Sequence, residues 1–204
     1  MWEAADRAIM EMNRANLRAF GRLKTSKWDE MHIIREVTEV YRASVQLARR
    51  KYREVYEQAY YEFLLEYGLI AQAAKAKANG VSEGWIDSFL KDVDPTVLYA
   101  FLPEADRKKE RLIEALAVAL NKPHEIDKAL RYWTFQVGQF TDNSLIQGRM
   151  QAMRDAGVEY VMWHTQEDER VCEDCEPLEG QIFPINAMPM LPQHPRCRCW
   201  ISKA

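Results

Sequence analysis

Residues Tyr160 to Phe183 read YVMWHTQEDERVCEDCEPLEGQIF, and after a proline-studded connection His194 to Trp200 read HPRCRCW. All four cysteines of the chain fall in these two pieces, as Cys172, Cys175, Cys197 and Cys199, with His194 three residues before the third. A Cys-x-x-Cys turn followed some twenty residues later by His-x-x-Cys-x-Cys has the spacing of metal ligands. Two thiolates separated by two residues can bend back onto one cation. His194 and Cys197 stand in the same relation, so a second turn can face the first. That makes five candidate ligands for a structural zinc site that takes four. In an extended strand Cys197 and Cys199 share a face but are spaced too widely for easy joint ligation, which favours His194 with one of them. Two other readings stand beside the metal. Cys172 and Cys175 can be drawn as a redox pair, although no thioredoxin-like strand–helix alternation surrounds them. The four thiols can also be drawn as two disulfides, against an expected reducing compartment, since no apolar leader precedes Met1.

Outward from the ligands, the side-chain period is two. Val161, Trp163 and Thr165 alternate with Tyr160, Met162 and His164, and Gln181-Ile182-Phe183 and Cys199-Trp200-Ile201 are strand-like as well. Three short strands cannot bury a core of their own. A bound cation and the preceding helix would have to supply the rest.

Before Gly157 the period is helical. Residues 3 to 24 place Ala5, Ala8, Ile9, Met12, Ala15, Leu17, Phe20 and Leu23 at helical spacing, with Asp6 early and Arg22 and Lys24 late. Thr25 or Ser26 offers a cap for a second helix that meets no breaker until Gly68. Its row Met31, Ile34, Thr38, Tyr41, Val45, Ala48, Tyr52, Val55 and Ala59 is a heptad seam, widened by Ile33, Val37, Val40 and Leu47. About forty residues of helix reach ~60 Å, which allows either a bundle helix or an arm that self-associates or reaches a partner. Leu69 to Ala78 remains helix-compatible up to Asn79-Gly80. Short helices are expected at Ser82 to Leu90 and from Asp94-Pro95 to Leu102, then one over residues 104 to 120. A final long helix is expected from about His124 to Asp155, stopped at Ala156-Gly157. The chain therefore reads as mainly α: a long-helix N-terminal bundle or arm over residues 1–157, with a hinge near 79–103, and a small, zinc-clipped C-terminal α+β knuckle over 158–204.

Composition narrows the function. The 204 residues carry a net charge of −3, with 48% hydrophobic and 29% charged residues, so no basic field draws the chain onto DNA. The basic clusters at Arg49-Arg50-Lys51-Tyr52-Arg53 and Arg107-Lys108-Lys109 are bracketed by glutamates and aspartates, the pattern of a solvated helix face. No stretch approaches the ~18 apolar residues of a membrane span. No internal repeat, GxGxxG or Walker-type loop is present. Around the first ligand pair, Glu167, Asp168, Glu169, Glu173, Asp174, Glu176 and Glu179 face Arg170 alone, and such a surface opposes phosphate approach. Arg196 and Arg198 at the second pair could balance this acidic turn. His164 with Asp168 can be drawn as a base and its orienter, but a catalytic zinc keeps an open position, whereas here donors exceed seats. His32 and His124 have no partner that the sequence identifies. The chemistry favours a structural clip presenting a protein-binding surface. A zinc-dependent hydrolase or nuclease and a DNA-binding module are the alternatives.

One ordered set of residues carries a family resemblance. Trp163-x-Thr165-x-x-Asp168-x-x-x-Cys172-x-x-Cys175, then Leu178-x-Gly180, then His194-Pro195-x-Cys197-x-Cys199 resembles the Mu F-like phage head morphogenesis family. These are minor head proteins of tailed double-stranded DNA phages. The resemblance covers roughly the last forty residues, and the stretch from Asn186 to Pro192 departs from it. It implies a non-enzymatic virion protein in the head near the portal vertex, present in the host cytoplasm during assembly. It implies binding to portal or major capsid subunits and entry into the head with the DNA, while a patch facing packaged DNA is the minor reading of the basic clusters.

Overall fold

The strongest local signal in the chain is a helical row that never breaks, and the longest helix follows it. The computed structural model describes residues 2–25, 30–80, 123–166, 171–194 and 197–204. Four α-helices lie among them: α1 Glu3–Thr25, α2 Glu30–Glu66, α3 Ile70–Asn79 and α4 Pro123–Asp155. They are followed by the strands β1 Tyr160–His164, β2 Ile182–Pro184 and β3 Trp200–Lys203. The helices expected between Ser82 and residue 120, the basic cluster at Arg107, and all but the first two residues of the hinge at 79–103 lie outside the described residues. No described helix is long and apolar enough to cross a membrane.

By its contacts the chain divides into two units. In the unit made of Asp6–Lys51 and Gly84–Gly138, α1 and the first part of α2 form an antiparallel pair. Two contacts set the register. The Ser44 hydroxyl donates to Asn16 Oδ1 at 2.8 Å, both residues being buried. Lys51 Nζ meets Glu11 Oε2 at 2.6 Å. As the position falls along α1 it rises along α2, which is the signature of a hairpin of helices. Ala8, Met12 and Asn16 repeat every four residues along the buried row of α1, and Ala48 is buried on α2. The buried hydroxyl–amide bond is a polar contact inside an otherwise apolar seam. Leaving either group without its partner would cost ~1–3 kcal/mol.

The other unit comprises Met1–Ala5, Tyr52–Glu83 and Gln139–Ala204. On α2, Tyr52, Val55, Tyr56, Ala59, Tyr60, Phe63 and Leu64 are all buried, two adjacent rows wide. The seam from Ala48 to Ala59 is therefore covered by the chain itself, as in a bundle helix. α4 lies against the second part of α2 with both helices advancing in the same direction. Tyr52 meets Phe140 edge-on, Gly148 meets Tyr56, and the Tyr60 hydroxyl donates to Asp155 Oδ2 at 2.8 Å. At Gly148 the backbones touch: a Cβ there would stand 2.2 Å from the Tyr56 carbonyl oxygen.

Both helices of this pair end in the same way. Gly68 and Gly157 take φ of 72° and 73°, where L side chains are strained. Leu69 N–H bonds to Leu64 O at 2.8 Å and Gly68 N–H to Leu65 O at 3.1 Å. Val158 N–H to Met153 O and Gly157 N–H to Arg154 O, each 3.0 Å, repeat the pattern. These are Schellman closures, which satisfy carbonyls that a helix end leaves open.

The strands form an antiparallel sheet in the order β2-β1-β3. Val161 pairs with Phe183 on one side and Lys203 on the other, and Trp163 pairs with Ile201. Val161, Trp163, Thr165 and Ile201 are buried, whereas Tyr160 and Ile182 on the other face are 52% and 55% exposed. The expected alternation is thus observed. The sheet takes the cover it lacks from the helices through Arg149, whose side chain is only 8% exposed. Its Nη atoms grip the Glu66 carboxylate at 3.2 and 2.7 Å, and its Nε donates to Ile201 O at 3.3 Å. Its guanidinium stacks 5.3 Å from the Phe63 ring centre and 6.0 Å from that of Trp200.

Arg149 also closes a sheet edge. Ile201 and Lys203 turn their backbone groups away from β1, and Lys203 N–H reaches the Tyr67 hydroxyl at 3.3 Å. At the other edge Pro184 has no N–H to offer, and its carbonyl accepts from Ala187 N–H at 2.9 Å. Neither edge invites a further strand.

Two outcomes follow from this packing. Gly148→Ala gains up to ~1 kcal/mol of helix propensity but drives a methyl into the Tyr56 carbonyl, and such overpacking costs ~1–3 kcal/mol or more. Thermal melting should show Gly148→Ala destabilised, while Gly21→Ala, with nothing within 4 Å of its added Cβ, keeps or raises the wild-type value. Arg149→Met removes three hydrogen bonds at once. Glu66 is half exposed and regains water, so the expected loss is about 1–3 kcal/mol, below the ~3–5 of a fully buried pair. Arg149→Lys should fail to restore it, because an ammonium cannot span the same fork.

Candidate metal centre

Each ligand turn is built by its own backbone. Cys175 N–H closes on Cys172 O at 3.0 Å, and Glu176 N–H bonds to the same carbonyl at 3.0 Å. A short 3-10 turn, Glu176–Leu178, follows. Gly180, at φ 71°, then reverses the chain so that Gly180 N–H reaches Trp163 O and Gln181 O accepts from Trp163 N–H, both at 2.9 Å. The Cys172–Cys175 turn is therefore pinned to β1. The second turn repeats the first: Cys197 N–H closes on His194 O at 3.1 Å. Cys199 lies beyond it, one residue before β3.

All five sequence-predicted residues converge. Cys175, Cys197 and Cys199 are buried, while Cys172 and His194 are half-buried. No disulfide joins the four cysteines. Cys175 is the hub, with its Sγ 3.5 Å from His194 Nε2 and 3.8 Å from Cys197 Sγ. The donors fall into two overlapping sets, Cys172–Cys175–His194 and Cys175–Cys197–Cys199, in each of which every donor lies within 4.8 Å of the others. Either set supplies soft or borderline donors suited to zinc.

The thiols share protons unequally. A hydrogen bond from Cys199, outweighing burial, holds the Cys197 thiol down to about 5. The same bond, with burial, raises Cys199 far above the ordinary value. Burial, then the hydrogen bond with Cys172, pushes Cys175 up to about 12. Burial also acts on Cys172, but bonds from Cys175 and from the turn's backbone bring it down. The cluster thus presents thiolate character at Cys197, facing protonated thiols that a cation would deprotonate on binding.

The wall of the site includes residues the sequence reading did not single out as partners. Glu179 Oε2 accepts both the Thr165 N–H and, at 2.7 Å, the Thr165 hydroxyl. Its other oxygen stands 3.6 Å from His164 Nδ1. His164 Nε2 lies 2.8 Å from Ser202 Oγ, and the ring stacks on Trp200 with centres 4.2 Å apart. His164 was paired in sequence with Asp168, which lies outside the described residues. In the fold its neighbours are Glu179 and Ser202, and the group fastens the ligand turn to β1 and β3. Arg198, expected opposite the acidic turn, stands with its guanidinium 5.3 Å from the Trp2 ring, and Arg196 is outside the described residues. Among the sequence signals, Thr165 and the Leu178-x-Gly180 turn pointed to this wall. Glu179 between them was read only as one charge in an acidic run.

The Thr165 backbone bond holds the Glu179 carboxyl below its ordinary 4.5. A carboxylate lowered by folding stabilises the fold fully above the unfolded value, and the contribution fades as pH falls through the folded one. Melting temperature should therefore drop as pH falls below about 4.5. Glu179→Gln should melt lower near neutrality and show a smaller drop on acidification; equal acid slopes in both proteins would exclude this bond as their cause.

These elements are also where the chain is similar to known proteins. No curated protein and no solved structure matches the chain. A family model does: residues 112–202 match the family described as Phage Mu protein F like protein. The matched stretch takes in α4, β1, β2, all but the last residue of β3, and all five Cys/His donors. The resemblance read from Trp163 to Cys199 is thereby supported: over residues 112–202 this chain is similar to the Mu F-like phage proteins.

Proposed function

We propose that this chain is a structural minor head protein of a tailed double-stranded DNA phage. It acts in head morphogenesis by binding portal or major capsid subunits near the portal vertex. The observation that carries the reading is the match across α4 and the knuckle, because it covers the part of the fold that is most elaborately held together. The surface supports it. Tyr160 and Ile182 stand exposed on the outer face of the sheet, and Glu173, Asp174 and Glu176 of the ligand turn are exposed and acidic. A partner presenting apolar and basic side chains would complement that face, which both closed edges reserve for face-on contact. The acidic surround disfavours the DNA-binding alternative. The excess of protein donors over tetrahedral seats disfavours the metal-dependent hydrolase.

The experiment is co-purification of the full chain with the portal and major capsid proteins of its own phage. Association with at least one is expected. Tyr160→Asp with Ile182→Asp should weaken it by tenfold or more, ~1.4 kcal/mol, with an unchanged melting temperature. Normal heads assembled without the protein, together with no association to either subunit, would defeat the proposal.

A further inference from the structure

We propose that the knuckle binds one zinc ion through Cys172, Cys175, His194 and Cys197, and that Cys199 stays outside the coordination sphere as a hydrogen-bond donor to the ligating sulfurs. The first ground is distance. With Zn–S of about 2.3 Å and Zn–N of about 2.0 Å, a tetrahedral angle separates two sulfurs by about 3.8 Å and a sulfur from a nitrogen by about 3.5 Å. Cys175 Sγ stands 3.8 Å from Cys197 Sγ and 3.5 Å from His194 Nε2. Two edges of the tetrahedron are therefore already in place.

The second ground is the backbone. Cys172–Cys175 and His194–Cys197 share one closing bond: residue i+3 donates its N–H to the carbonyl of residue i, at 3.0 and 3.1 Å. The first turn sets Cys172 and Cys175 within 4.8 Å of each other and of His194, and Cys197 of the second turn stands 3.8 Å from Cys175. Cys199 belongs to neither turn. It sits in the extended lead into β3, buried beside Cys175 and Cys197.

The third ground is charge. Three thiolates and a neutral imidazole around Zn²⁺ leave a net charge of −1. A fourth thiolate would bring −2 into a buried site. Cys199, buried within 4.8 Å of Cys175 and Cys197, would stand just outside that sphere, where a hydrogen-bond donor moderates the charge of the ligands. With four protein donors the site has no seat for water, so its role is to hold the two turns together. The proposal does not depend on the protein's partners.

The test uses the full chain purified under reducing conditions, with its zinc content measured and cobalt(II) substituted for absorption spectra and X-ray absorption. One metal per chain with three sulfurs and one nitrogen is expected. Cys199→Ala and Cys199→Ser should keep that stoichiometry and spectrum, with affinity lowered about 10-fold. His194→Ala and Cys172→Ser should lower affinity more than about 100-fold, beyond the range of groups outside the coordination sphere. Four sulfurs in the wild type, with His194→Ala unaffected and Cys199→Ala defective, would overturn the assignment while keeping the metal. Two metals per chain would mean that Cys175 bridges them, and would also overturn it. Wild-type protein that holds no zinc above trace and binds none on titration would overturn the site itself.

Discussion

The buried guanidinium of Arg149 is the joint on which the C-terminal unit turns. A three-stranded sheet with short strands exposes too much of itself to stand alone, so its inner face must be covered by something else. Arg149 projects from α4, grips Glu66 at the end of α2 and donates to the β3 backbone at Ile201. One planar cation thus ties two helices and a strand, with Phe63 and Trp200 stacked around it. Only arginine has the donors and the flat faces to do all of this at once. Its desolvation is offset because its charge meets a carboxylate, a carbonyl and two aromatic rings.

The close approach of α4 to α2 places that guanidinium. Gly148, the residue before Arg149, lets the helix backbones touch at Tyr56. A larger residue would push α4 outward and lift Arg149 from its partners. The two Schellman closures release the chain at the points where it must change direction: Gly68 turns α2 into α3, and Gly157 turns α4 toward β1. Backbone freedom at one glycine, and the absence of a side chain at the other, therefore feed the same joint.

Around the thiols the logic is local first and tertiary second. Each donor pair is shaped by a backbone turn that needs no distant help. Bringing the pairs together requires β1 between them: Trp163 holds the first turn through Gly180 and Gln181, while β3 pairs with its other side and follows directly from the second turn. The Glu179–Thr165 bonds and the His164–Ser202 contact add polar fastenings on the wall of the site. Strain or loosening in the sheet would thus reach the cysteines through hydrogen bonds rather than through bulk packing.

Much of this was legible in one dimension, because it rests on interactions only a few residues apart. Helical spacing located α1, α4 and the end of α2 to within about two residues, whereas Thr25, expected as the cap of α2, closes α1, and the glycines at 68 and 157 marked two ends. The i, i+3 ligand pairs and the period-two alternation of β1 also belong to local sequence, as does the ordered Trp163-to-Cys199 pattern that the family match bears out. The sequence left open whether the α2 seam faced another chain. Burial of Ala48, Tyr52, Val55 and Ala59 answers that for its second part, since only the folded chain brings a covering surface to them. Arg149 was not singled out, and Glu179 looked like one charge of an acidic run, because their partners stand 83 and 14 residues away. Tertiary structure decided those pairings, and with them the place of Cys175 at the hub, because desolvating a charge or gathering five donors requires surfaces from distant segments that no spacing rule encodes.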